Sequence, residues 1–196
     1  MSALLDRVKN YFMPEVVSKE QSFTWAHFNL APELVEEIQD IYTKELNPDP
    51  DTYNFFQWLP IKVPNINGLK VHRACLIYCE GNEKPKFSHK DPIPPDRVRG
   101  GGHKDWAPIV LNIPLRNCEN SRTSMYKDPK DPIHYMTIYN EPAVIMPIDE
   151  SKFLTSFVLD RPILFNTQVL HAVENFSPEP RLAISLRFKE SPYEWL

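Results

Sequence analysis

Residues 161–188 read RPILFNTQVLHAVENFSPEPRLAISLRF. The runs RPILFN, QVLHAVE and RLAISLRF are each too short for a stable helix. They are bounded by Asn, Ser and Pro, which punctuate strands. The same rhythm extends upstream through LKVHRACLIYC (69–79), KPKFSH (84–89), APIVLNIPL (107–115), RTSMY (122–126), IHYMTIY (133–139), PAVIMPI (142–148) and FLTSFVL (153–159). About ten short strands with no long helical pattern between them predict an antiparallel sandwich or barrel over 69–188.

The N-terminal 50 residues read differently. Leu4, Leu5, Val8, Tyr11 and Phe12 recur at helical spacing until Pro14. A second helix is expected from Pro32, with Leu34, Val35, Ile38, Ile41 and Tyr42 on one face and Asn47-Pro48 as its stop. The chain therefore reads as one domain over 1–196, an all-β core with flanking helices packed outside it.

Composition supports this reading. The 196 residues are 42% hydrophobic, enough for one core. The 20 prolines against 5 glycines reverse the usual proportions and suit turns, strand edges and first helical turns. A net charge of -4 gives no basic excess to neutralise a run of phosphates, which makes nucleic acid an unlikely partner and favours a small molecule or peptide. No stretch approaches the ~20 apolar residues of a membrane span, and the N-terminus has no signal-peptide form, so a cytoplasmic location is expected. Of the three cysteines, Cys75 and Cys79 would stand about 13 Å apart along one strand, too far for a disulfide, and Cys118 is alone. The thiols suit a reducing compartment.

Six histidines mark where chemistry could lie, and two occur in identical tripeptides, His89-Lys90-Asp91 and His103-Lys104-Asp105. On an extended segment, H-x-D turns an imidazole and a carboxylate to one face. With a distant second imidazole this makes the two-His, one-carboxylate set that suits non-haem iron. His171 sits in a strand-like run, and Arg181 opens the last strand. Arg187, an even number of residues further on, can share its face. An inward arginine fork matches a carboxylate and is costly to bury without one, so an acidic ligand is implied.

In H-x-D, in LFNTQVLHAVEN with Arg181 after it, and in LNIPLRNCENSRTSMY, the chain resembles the 2-oxoglutarate and Fe(II)-dependent oxygenases over roughly 69–188. The stretch LNIPLRNCENSRTSMY is similar to small phage and bacterial members, and prolyl-hydroxylase-like enzymes are among the relatives implied. The resemblance implies a double-stranded β-helix, a jelly roll of cupin-like form, with Fe(II), 2-oxoglutarate and O2. It makes His171 the distal iron ligand and Arg181 the partner of the cosubstrate's C5 carboxylate. His89 and Asp91 are then the other two ligands, in the family's strand, turn, strand, H-x-D order; His103 and Asp105, abutting the strand APIVLNIPL, are the alternative pair. Tyr78, Asn112, Thr123, Tyr126 and Arg187 are further candidates to touch the cosubstrate. PIPPDRVRGGGHKDW becomes a loop at the mouth of the site, its glycines suggesting a lid.

The implied reaction is hydroxylation of an amino acid, peptide or small molecule, with release of succinate and CO2. Two rival readings compete with it. A cupin-type metalloenzyme without 2-oxoglutarate would need a further imidazole and leaves Arg181 without a role. A non-catalytic β-sandwich binding or virion module predicts neither tight metal binding nor an effect of 2-oxoglutarate. The remaining histidines, His27, His72 and His134, read as surface or edge-strand residues, and Phe55, Phe56, Trp58 and Trp106 as core or rim.

Overall fold

A computed structural model of the chain describes residues 23–45, 56–85, 87–90, 108–127, 133–136, 142–148 and 152–192, with backbone alone at 45, 56–57, 87, 89–90, 133–136 and 142–145. The helix expected at residues 4–12 and the proposed lid lie outside these residues. One helix is described, α1 (Pro32–Glu45). The strands are β1 (Trp25–His27), β2 (Phe56–Leu59), β3 (Asn65–Ile66), β4 (Leu69–Cys79), β5 (Phe87–Lys90), β6 (Ile109–Arg116), β7 (Ser121–Tyr126), β8 (Ile133–Met136), β9 (Pro142–Pro147), β10 (Phe153–Phe157), β11 (Ile163–Asn166), β12 (Leu170–Asn175) and β13 (Arg181–Phe188).

All pairing is antiparallel. One sheet runs β1-β11-β6-β13-β4-β2, with β3 also paired to β4, and the other runs β10-β7-β12-β5-β9-β8. From β4 to β7 the chain alternates between sheets. It then stays in the second sheet through β8, β9 and β10, and alternates again through β11, β12 and β13. The orders β11-β6-β13-β4 and β10-β7-β12-β5 are those of a double-stranded β-helix, the jelly-roll solution to leaving few open edges. Every strand predicted from 69 onward is present. β1, β2 and β3 are additions; β1 holds His27 on an edge, and Asn67-Gly68, both at positive φ, joins β3 to β4 in the two-residue turn that Asn-Gly favours.

Two apolar layers flank the first sheet. On its outer face, Ile38 and Tyr42 of α1 pack fully buried against Ile109, Leu111, Ile113, Ile184, Leu186 and Phe188. Each such side chain contributes about 2–3 kcal/mol. Pro32 opens α1 as expected, and Gln39 Nε2 donates to Pro114 O at 2.7 Å, fixing the helix on β6. Between the sheets, Val110, Ile163, Phe165 and Ala183 of the first meet Met125 and Phe157 of the second.

One end of the β-helix is closed by three connections tied to one another. Asn175, at the end of β12, donates from Nδ2 to Glu80 O at 3.0 Å and Glu179 O at 2.7 Å, and its Oδ1 accepts from Ser177 N. Asn117 Nδ2 donates to Glu179 O at 2.7 Å, and Phe176 N donates to Asn120 O at 2.9 Å. At Gly81 a Cβ would lie 1.9 Å from Pro178 O, so only glycine lets these turns meet. The three cysteines are buried and none is in a disulfide.

Candidate active site

His171 and Arg181 both belong to the space between the sheets. On β12, His171 lies opposite Met125 of β7, which is part of the intersheet cluster. Its ring meets Phe165 of the facing sheet edge-on, centroids 4.9 Å apart. His171 Nδ1 stands 2.9 Å from Val169 O. A carbonyl there can only accept, so the proton sits on Nδ1 and the ring lone pair on Nε2, the tautomer in which metal-bound imidazoles are held.

On β5, position 89 is the direct register partner of position 171. Residues directly opposite in an antiparallel pair share a face with Cβ atoms about 5 Å apart, so the backbone brings the two histidine positions to one face. Asp91 follows β5 and, with His103 and Asp105, lies outside the described residues. Among the described residues, no three His, Cys, Asp or Glu side chains are grouped to hold a metal.

Arg181 is the first residue of β13, which lies between β4 and β6, with Cys79 opposite it on β4. It is 1% exposed, and its Nε and Nη1 have no hydrogen-bond partner among the described residues. A guanidinium carries five donors and stays charged, and one buried without an acceptor is destabilising by several kcal/mol. Its field reaches the nearby thiols. Burial pushes Cys79 up to about 12, helped by a hydrogen bond to Glu83, and pushes Cys118 up as well; the Arg181 charge opposes both shifts.

Register sorts the other candidates by face. Arg187 pairs with Arg73 and shares the inner face with Arg181, as the even spacing predicts. Both Arg187 and Arg73 approach the Trp58 ring, at 5.8 and 5.0 Å from its centroid. Asn112 pairs with Ile163 and Ser185, and Thr123 with Val173; all are inward and both polar candidates are buried.

Tyr78 and Tyr126 lie on the opposite faces. Tyr78 pairs with Leu182, one residue out of phase with Arg181, and so lies on the outer face of the first sheet. Tyr126 pairs with Leu170 and packs with Met146, Leu170 and Ala172 on the outer face of the second. Burial raises both phenols. Neither shares the face of Arg181 or His171. The inner residue that the sequence reading missed is Ser185, which is even with Arg181 along β13 and so carried the same parity signal.

No family model matches the chain, and no curated protein matches its sequence. Among solved structures, the chain is similar to the non-haem α-ketoglutarate-dependent epimerase SnoN of nogalamycin biosynthesis, at a TM-score of 0.42 and 13% identity, covering 96% of this chain and 84% of that one. That epimerase has also been solved in complex with Fe3+, α-ketoglutarate and nogalamycin RO. The non-haem α-ketoglutarate-dependent carbocyclase SnoK of the same biosynthesis gives 0.42 and 14%, covering 89% and 84%. A prolyl-4-hydroxylase from Pseudomonas putida gives 0.40 and 12%, covering 94% and 99%. No helix among the described residues is long and apolar enough to cross a membrane.

Proposed function

We propose that this chain is a single-domain Fe(II)- and 2-oxoglutarate-dependent oxygenase that hydroxylates a small molecule, amino acid or peptide. The observation that carries the reading is Arg181, a guanidinium 1% exposed, with Nε and Nη1 lacking partners among the described residues, inside a β-helix whose facing sheet holds His171. A carboxylate is the ligand that such a fork fits, because two parallel N–H donors meet two oxygens. A second acidic point, on a metal, is what an imidazole with Nδ1 held by Val169 O is suited to provide.

The donor set fits the two groups. Position 89 is the register partner of position 171, and with Asp91, two residues further along the sequence, these would make the two-His, one-carboxylate set that suits Fe(II). His103 and Asp105 are the rival pair. The chemistry these groups supply when bound is oxidation of a C–H bond by O2, coupled to conversion of 2-oxoglutarate into succinate and CO2. The chain's own part is to bind and orient. Arg181 neutralises and fixes the distal carboxylate, the Val169 carbonyl holds the His171 tautomer, and Phe165 packs against the ring and keeps that side apolar.

Anaerobic thermal melting of the chelator-stripped protein tests this, with Mn(II) as a redox-inert stand-in for iron. Wild type should be stabilised by Mn(II) and further by 2-oxoglutarate. His171→Ala should lose the metal step, and so should one of Asp91→Ala and Asp105→Ala, which identifies the motif in use. A wild type that neither addition moves overturns the reading.

A further inference from the structure

Where β13, β4 and β2 lie side by side, two arginines share one indole. Arg187 on β13 and Arg73 on β4 are direct register partners, and their Cζ atoms stand 5.8 and 5.0 Å from the centroid of the Trp58 ring. Trp58 pairs with Cys75, two residues along β4 from Arg73, so all three side chains belong to the inner face of the first sheet. Trp58 lies on β2, the last strand of that sheet, and is 38% exposed, whereas Arg187 is 7% exposed. The group therefore runs from the sheet edge, where solvent reaches the indole, into the interior.

Its level along the barrel is that of His171. Phe165, whose ring meets His171, pairs with Val110, and Val110 pairs with Arg187, so Phe165, Val110, Arg187 and Arg73 form one transverse row. Arg181 stands at the other end of β13, about 20 Å from Arg187 along the backbone. The arginine pair is thus separate from the Arg181 fork and lies towards the open β2 edge.

We infer that Arg73, Arg187 and Trp58 anchor the substrate, and that the substrate is an acid bearing a carboxylate or a phosphate group; this rests on the oxygenase reading above. Like charges directly opposite on neighbouring strands oppose pairing, and an anion between them turns that cost into attraction. Stacking on an indole fixes a guanidinium through its face and uses none of its in-plane N–H donors. Two forks held in this way present paired donors, and an oxyanion is the group that matches them. Arg187 is thereby assigned to the substrate and not to the cosubstrate.

The test is calorimetric titration of the Mn(II)-loaded full chain, saturated with 2-oxoglutarate so that Arg181 is engaged, with benzoate, phenyl phosphate and benzamide. Benzoate and benzamide share a shape and differ in charge; phenyl phosphate carries the other oxyanion. Wild type should bind at least one of the two anions and not benzamide, and the tighter of the two names the group. Arg73→Met should weaken that anion about tenfold or more, as expected for lost hydrogen bonds to a charged group, and leave the affinity for 2-oxoglutarate unchanged. Trp58→Leu should weaken the anion too, and Trp58→Phe, which keeps a ring for stacking, should restore most of the affinity. The Trp58 variants decide the question if Arg73→Met does not fold.

The inference is overturned if neither anion binds wild type, if benzamide binds as benzoate does, or if Arg73→Met binds the anion as wild type does. It is also overturned if Arg73→Met weakens 2-oxoglutarate by the same factor, which would give the arginines to the cosubstrate. If wild type does not bind 2-oxoglutarate, the oxygenase reading fails instead.

Discussion

Replacing Arg181 with methionine should separate what the residue does for the fold from what it does for a ligand. The guanidinium is 1% exposed and two of its nitrogens lack acceptors among the described residues, so in the ligand-free protein it is a buried charge with little return. Exchanging buried charges for apolar side chains of similar volume is often stabilising by about 1–4 kcal/mol. Taking about 2 kcal/mol, and a melting shift of roughly 2–4 °C per kcal/mol for a chain of this size, Arg181→Met should melt about 4–8 °C above wild type without ligand. With Mn(II) and 2-oxoglutarate at a hundred times its dissociation constant, wild type should gain about 2.7 kcal/mol, or roughly 5–11 °C, and the variant should not. Differential scanning calorimetry of both proteins, with and without 2-oxoglutarate, reads all four values. A variant that melts several degrees below wild type without ligand, or one that gains as much from 2-oxoglutarate, refutes the argument that the fork is held for a carboxylate.

Two further predictions concern the closed end. Asn175→Ala removes both Nδ2 donations and the Oδ1 acceptor that tie the turns together, taking from Glu80 O its Asn175 donor and leaving Glu179 O with Asn117 Nδ2 alone of its two amide donors. It should cost about 2–4 kcal/mol, read as a lower urea midpoint with unchanged slope. Cys79 is pushed from 9.0 up to about 12, mainly by burial and then by Glu83. The folded state therefore disfavours its thiolate: the associated stability is complete below pH 9 and is lost as pH rises towards 12. At pH 8, iodoacetamide should leave Cys79 and Cys118 unmodified until the chain is unfolded, and mass spectrometry of the native protein checks this.

The strand content was legible because it depends on local chemistry. Apolar runs broken by Pro and Asn predicted β4 and β13 at their observed bounds, and Pro32 predicted the start of α1. Within one strand, facing was legible too: Arg181 and Arg187 share a face because six residues separate them. Between strands it was not. Whether Tyr78 shares the face of Arg181 depends on β4 pairing Cys79, and not Tyr78, with residue 181. A one-residue slip would have exchanged every inward and outward side chain. The facing of Tyr126 was hidden for the same reason, since β7 sets Met125 opposite His171. The pairing of positions 89 and 171 is likewise a product of register, to which neither segment's composition refers.

That register gives the central strand β13 two unlike faces. Its even residues Ile184, Leu186 and Phe188 are fully buried under α1, in the same layer as Ile38 and Tyr42. Its odd residues are Arg181, Ala183, Ser185 and Arg187, all buried and only one of them apolar. An ordinary two-sheet sandwich keeps its main apolar layer between the sheets. Here the outer layer under the helix supplies much of that burial, and this lets the inner face carry a guanidinium, an amide oxygen and a hydroxyl with atoms unanswered among the described residues. Apolar burial and unanswered polar groups thus occupy opposite sides of one strand. Truncating Ile184 or Leu186 removes fully buried apolar contacts and should destabilise the chain by about 2–5 kcal/mol, whereas exchanging Arg181 or Ser185 for an apolar residue removes an unanswered polar group. The alternation of two along β13 is what makes both possible in eight residues.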